Sequence, residues 1–174
     1  MKKSLITSIL MLFSTLGFAQ ITKGDIQLGG SVAFIKTEFP DYDRAALFLR
    51  PRAGLFVSDL TSVGLIIGYG WNDSNGSSSN SFQFGIYGRF HKMIIENFYI
   101  YLQPSVSVGT SSFNVGIAPG MSYFLSPKFA LEMNVGTLSY DRTVQKNSGV
   151  ENKSEQYRFN LNNVSVGFSY FIKK

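Results

Sequence analysis

The sequence contains no cysteine, which excludes a disulfide framework and leaves stability to backbone pairing and packing. It contains one histidine, His91; a single histidine without cysteine partners argues against a metal centre. Beyond the first 19 residues no run is long and apolar enough for a membrane helix, which needs about 20 residues. Basic residues outnumber acidic ones, 16 to 11. They are spread along the chain instead of gathered on one face, so nucleic-acid binding has no support. What is plentiful is aromatic residues, at 15%, and glycine, at 17 residues. A disordered chain carries fewer aromatics. Many aromatics and glycines without a long apolar run fit a chain that hides its hydrophobicity in alternation, as transmembrane barrels do.

The N-terminus has the form of a targeting segment. Met1-Lys2-Lys3 is basic, Leu5 to Phe13 is apolar apart from Thr7 and Ser8, and Gly17-Phe18-Ala19 places small residues at −3 and −1. Residues 1–19 read as a cleaved signal peptide, too short to span. No cysteine follows the apolar run, so a lipoprotein anchor is excluded. Removing Lys2 and Lys3 leaves 14 basic and 11 acidic residues in a single domain, 20–174.

The stretch from Ala45 to Trp71 sets the pattern for the rest. Leu47, Leu49, Pro51, Ala53, Leu55 and Val57 share one face of a strand, and Phe48, Arg50, Arg52, Gly54 and Phe56 share the other. After a turn at Ser58-Asp59-Leu60, Val63, Leu65, Ile67, Tyr69 and Trp71 oppose Gly64, Ile66, Gly68 and Gly70. A charge on the lipid face of a barrel costs about 2–4 kcal/mol near the midplane. Arg50 and Arg52 therefore face inward and the leucine row outward. A soluble β-sandwich would invert that assignment, with the leucines in a core.

Six more segments repeat the alternation: 25–35, 81–91, 98–108, 113–125, 129–140 and 156–172. Apolar parity changes after Gly136, where a bulge is expected, and again at Asn162-Asn163. The expected fold is all-β, an eight-stranded antiparallel up-and-down transmembrane β-barrel. Segments 37–44, 72–80, 109–112 and 141–155 read as outside loops, and 58–61, 92–97 and 126–128 as shorter periplasmic turns. The 72–80 stretch is Gly/Ser/Asn-rich and reads as flexible. An offset of 68 residues aligns Pro51 with Pro119, Phe56 with Phe124 and Gly68 with Gly136. Pro51, Pro104 and Pro119 each remove a ladder hydrogen bond, and local bulges are expected there.

The pattern Pro51-x-x-Gly54-x-Phe56-Val57-Ser58-Asp59 with Gly64 and Gly68-Tyr69, and Pro119-Gly120-x-x-Tyr123-Phe124-Leu125, resembles small outer-membrane β-barrel proteins of the Bacteroidota type. The barrel is similar to the porin-like, OmpA- and OmpX-like eight-stranded domains. The resemblance implies a Gram-negative outer membrane and insertion by the barrel-assembly machinery. Ser165, Gly167, Tyr170 and Ile172 fit the spacing of the assembly signal, although Lys173 and Lys174 follow where the family usually ends on an aromatic residue.

Arg50, Arg52, Arg89, Glu132 and Arg158 are expected to form a polar network in the lumen, since buried charges require partners. An eight-stranded barrel is only wide enough for its own side chains to fill. Tyr69, Trp71 and Tyr157 read as the outer aromatic girdle, and Phe90, Tyr123 and Tyr170 as the inner one. His91 reads as a turn or belt residue; a lipid-modifying enzyme would need a Ser-His pair at the opposite end. The expected function is non-catalytic, with no cofactor: a monomer in contact with outer-membrane lipid, serving envelope structure or a surface contact through 72–80 and 141–155. A narrow solute channel, a lipid-modifying enzyme and a soluble exported barrel binding an apolar ligand remain as alternatives.

Overall fold

The computed structural model describes residues 21–39, 42–147 and 150–174; the expected signal peptide, 1–19, lies outside them. Eight antiparallel strands follow one another around a closed barrel. They are β1 (Ile26–Phe39), β2 (Tyr42–Ser58), β3 (Thr61–Ser74), β4 (Ser77–Ile95), β5 (Phe98–Gly109), β6 (Ser112–Ser126), β7 (Phe129–Asn147) and β8 (Val150–Ile172). Each strand pairs with the next in sequence, and β8 returns to β1. The start of β1, the end of β8 and the turns after β2, β4 and β6 therefore share one rim, here the inner rim.

The alternation read from sequence sets the two faces. Val63, Leu65 and Ile67 of β3 stand exposed on the outside, as do Phe82, Phe84 and Ile86 of β4. On the lumen side of the same strands Ser62, Gly85, Tyr87, Arg89 and His91 are buried. The expected girdle residues Tyr69, Phe90, Tyr123, Tyr157 and Tyr170 are all exposed on the outer face, and Trp71 is half-buried.

The expected loops are largely strand. The 72–80 segment is a hairpin whose only turn residues are Asn75 and Gly76, at φ 51° and 78°. Two successive positive φ values make the primed turn that matches strand twist, and Asn-Gly is its strongest signal. Serine-rich composition suggested a flexible loop because strands wetted on both faces show no apolar alternation. Likewise β7 runs to Asn147 and β8 begins at Val150, so 141–155 is mostly paired strand. The 37–44 segment also continues β1 and β2, with only residues 40 and 41 between them outside the described residues. At the inner rim 92–97 contracts to a turn at Glu96-Asn97, with Asn97 at φ 64°. The turn after β2 is Asp59-Leu60, and that after β5 is Thr110-Ser111.

The bulge expected after Gly136 is present. Gly136 has φ 75°, and the β7–β8 register jumps from Val135↔Val164 to Thr137↔Asn160. Bulges were also expected at all three prolines, and only Pro119 lies at a register shift, between Ile117 and Gly120. Pro51 pairs in register with Gly30 on one side, while the β2–β3 ladder skips from Leu49↔Tyr69 to Arg52↔Ile66 without slipping. Pro104 does the same, paired with Ile117 and interrupting β4–β5. A strand residue in an antiparallel sheet bonds to only one neighbour. Proline thus removes a bond on one side and leaves the other ladder intact.

The ring closes over a short seam. β1 pairs with β8 only from Ile26↔Ile172 to Val32↔Val166. Below that seam Asp25 joins the segment ahead of β1 to the residues that follow β8. Its buried carboxylate accepts hydrogen bonds from the Thr22 backbone N–H at 3.0 Å, the Thr22 hydroxyl at 3.1 Å, Lys173 Nζ at 2.8 Å and the Lys174 N–H at 3.3 Å.

Candidate functional site

The barrel encloses a lumen, and its two halves differ. At the inner rim an aromatic floor closes it. Phe56, Phe124 and Phe171 are each about 1% exposed and pack with Tyr99, Ala130 and Ile21. The Phe124 and Phe171 rings lie 4.8 Å apart, and Phe56 and Phe171 6.1 Å. Phe56 and Phe124 are the pair aligned by the 68-residue echo, so both copies of that motif supply a floor residue. His91 packs beside this floor between Phe56 and Tyr101, at ring distances of 5.2 and 5.6 Å. It is a buried lumen residue, not the turn or belt residue that its position at a strand end suggested. Its strand continues four residues further and its parity points inward.

Above the floor lies an ionic layer centred on Glu132 of β7. Arg52 and Arg89 both form ion pairs with it, the latter at 2.9 Å, and all three side chains are buried. Gln27 Nε2 donates to Glu132 at 2.6 Å and Ser169 Oγ at 2.7 Å. The guanidinium of Arg89 also donates twice to Gln103 Oε1, at 3.0 and 2.6 Å, and lies 3.9 Å over the Tyr101 ring. Tyr101 in turn donates to Asn134 at 2.9 Å. One carboxylate thus gathers donors from β1, β2, β4 and β8, tying opposite walls together. Glycine makes room for the rings in this layer. A Cβ on Gly64 would stand 2.2 Å from the Ala53 carbonyl and 2.7 Å from the Tyr87 ring, and one on Gly120 would stand 2.4 Å from the Tyr101 ring.

Three of the five expected network residues, Arg52, Arg89 and Glu132, come together here. Arg50 and Arg158 face the lumen but do not join them. Arg158 pairs with Asp141 at 3.1 Å, higher in the barrel, with most of its side chain in solvent. Arg50 is exposed, and among the described residues none accepts a hydrogen bond from it. Two residues along a strand separate Arg50 from Arg52, enough to lift it clear of the closed layer. Sequence reading missed Ser169 and Asp141. Ser169 has the lumen parity of Ser165 and Gly167, and that was its available signal. Asp141 lies in a segment whose polar composition reads as a loop. It accepts from Asn114 at 2.6 Å and Ser139 at 3.0 Å inside the lumen.

The expected assembly-signal residues divide by face: Ser165 and Gly167 line the lumen, and Tyr170 and Ile172 stand outside. A Cβ on Gly167 would lie 2.3 Å from the Gly30 carbonyl across the closing seam.

No family model matches this chain. No curated protein matches it either. Solved structures do share its shape. The outer membrane protein OprG from Pseudomonas aeruginosa superposes with a TM-score of 0.52 at 13% identity, covering 91% of this chain and 100% of that one. A chain from the de novo design of transmembrane β-barrels gives a TM-score of 0.51 at 19% identity, covering 88% and 99%. At these identities the likeness is one of fold. The chain is a closed eight-stranded antiparallel β-barrel of the transmembrane type.

Proposed function

We propose that the chain is a non-catalytic integral barrel of a Gram-negative outer membrane, with its lumen shut by its own side chains. The observation that carries this is the buried Arg52–Glu132–Arg89 layer over the Phe56–Phe124–Phe171 floor. A solute crossing the barrel would have to break ion pairs in a low-dielectric interior. The outer-membrane address draws on the exposed apolar band, on the two barrels of like fold, and on the N-terminal signal pattern. Kinship with the small barrels of Bacteroidota draws on the Pro51–Asp59 and Pro119–Leu125 motifs alone. Its role is structural or one of surface contact, as a monomer in outer-membrane lipid. The assembly machinery would read Ser165, Gly167, Tyr170 and Ile172. The hairpins at 72–80 and 141–155 are the elements offered to an outside partner.

Planar-bilayer recording tests the closed lumen: the mature protein should give no steady conductance in 1 M potassium chloride. Open steps under those conditions would establish the narrow-channel reading instead, which the arginine-rich lumen otherwise favours.

A further inference from the structure

The lumen is closed only in its inner half. Lumen-facing residues above the Glu132 layer, among them Ser31, Gln83, Ser107, Asn114 and Ser139, are half-exposed, and Arg50 is exposed. An inward-facing residue can be exposed only where the lumen admits solvent. The outer half is therefore a cup that opens at the outer rim and ends on the ionic layer.

The charges in this cup do not balance. Asp141 is its carboxylate among the described lumen-facing residues, and it is already engaged by Asn114, Ser139 and Arg158. Its charge reaches Arg50 on the facing wall, but it takes no hydrogen bond from Arg50. One step below on the same strand face, Arg52 leaves its buried Nε without an acceptor. Beneath the cup, two guanidiniums face the single carboxylate of Glu132. An excess of positive charge in a dead-end cleft with low-dielectric walls concentrates anions. A guanidinium with unused donors binds oxyanions through paired N–H groups.

We propose that the outer half of the lumen is a binding cup for a small oxyanion, a carboxylate or phosphate taken from the outside medium, with Arg50 as its principal donor. This rests on the closed-lumen reading above. Arg158 on β8 adds positive charge to the cup, and Asp141 limits affinity by competing for both arginines.

The test uses the mature protein folded in detergent micelles. Arginine Nε–Hε resonances are followed by NMR while inorganic phosphate replaces chloride at constant ionic strength. The Arg50 resonance should move saturably. In Arg50→Gln the phosphate response of the remaining arginines should disappear, and in Arg50→Lys binding should weaken without vanishing. The lysine variant also serves if the glutamine variant fails to fold. Asp141→Asn removes the competing charge and should tighten binding severalfold. Lys128→Gln, at the far rim, should change nothing. A linear, unsaturable drift of all arginines, or binding unchanged in both Arg50 variants, would overturn the proposal. Bilayer recording in the same phosphate buffer separates the two readings. A silent barrel without saturable binding removes the cup alone, whereas a phosphate current removes the closed lumen.

Discussion

Glu132 draws donors from four strands onto one carboxylate. Replacing it with glutamine keeps the shape and removes the charge, leaving Arg52 and Arg89 buried without a counterion. Breaking a buried pair from one side costs about 3–5 kcal/mol. Glu132→Gln should lower the urea midpoint of the detergent-folded protein accordingly. Arg158→Gln, whose side chain is mostly in solvent, should cost no more than about 1 kcal/mol; equal losses in the two variants would contradict the layer as drawn. Asp25 carries a pH dependence. Burial raises its pKa, but the Lys173 ammonium and the Thr22 N–H outweigh burial and hold the carboxyl below its ordinary value. A depressed folded pKa contributes stability that is complete above the unfolded value, near 3.8, and is lost as pH falls through the folded one. Unfolding temperature should thus be flat above about pH 5 and fall in stronger acid, and Asp25→Asn should flatten that fall. Parity alone put Arg52, Arg89 and Glu132 inside the barrel. It could not say which side chains meet, because that depends on how far the strands stagger around the ring. Gln27 and Ser169 touch across 142 residues of sequence, a contact that only the closed ring creates.

At the scale of strands, the tightest constraint is where a ring lies against a backbone. Gly64 sits beneath Tyr87 and against the Ala53 carbonyl. Neither backbone can yield without opening the β2–β3 ladder, so Gly64→Ala should destabilise by about 1–3 kcal/mol, the usual cost of overpacking. Gly68→Ala, whose nearest neighbour would stand at 3.4 Å, should be tolerated; denaturant titration of the pair checks this. Strand existence and facing were legible in the sequence because Arg50, Arg52 and Arg89 broke the symmetry between lipid and lumen. Strand ends were not. Outside the apolar band both faces of a hairpin meet water, and Ser77 to Asn80 pair as well as any leucine without showing a period. Asn75-Gly76 was the available mark, and it was overshadowed by the serines around it. The prolines misled for a related reason: a missing N–H was read as a slipped register, when Pro51 and Pro104 leave only a gap in one of two ladders.

The molecule as a whole is a plugged cylinder with one open mouth. A closed barrel of this kind resists detergent at room temperature, so the unboiled protein from the outer-membrane fraction should migrate faster on a denaturing gel than the boiled one. Recovery in the soluble periplasm, with no difference between the two, would turn the leucine rows into a core and reverse the lumen assignment. The ring is also unequally fastened. β7 and β8 run together from Phe129↔Tyr170 out to Asn147↔Val150, whereas β1 and β8 meet only up to Val32↔Val166. Above that point the β1–β8 ladder does not continue among the described residues. The cylinder therefore behaves like a sleeve buttoned for part of its length. Heat should part it along this line first, with the amides of the short β1–β8 seam exchanging hydrogen before those of the β7–β8 ladder. A staple between Val32 and Val166, made by Val32→Cys and Val166→Cys and oxidised after folding, should raise the temperature at which the fast-migrating form is lost.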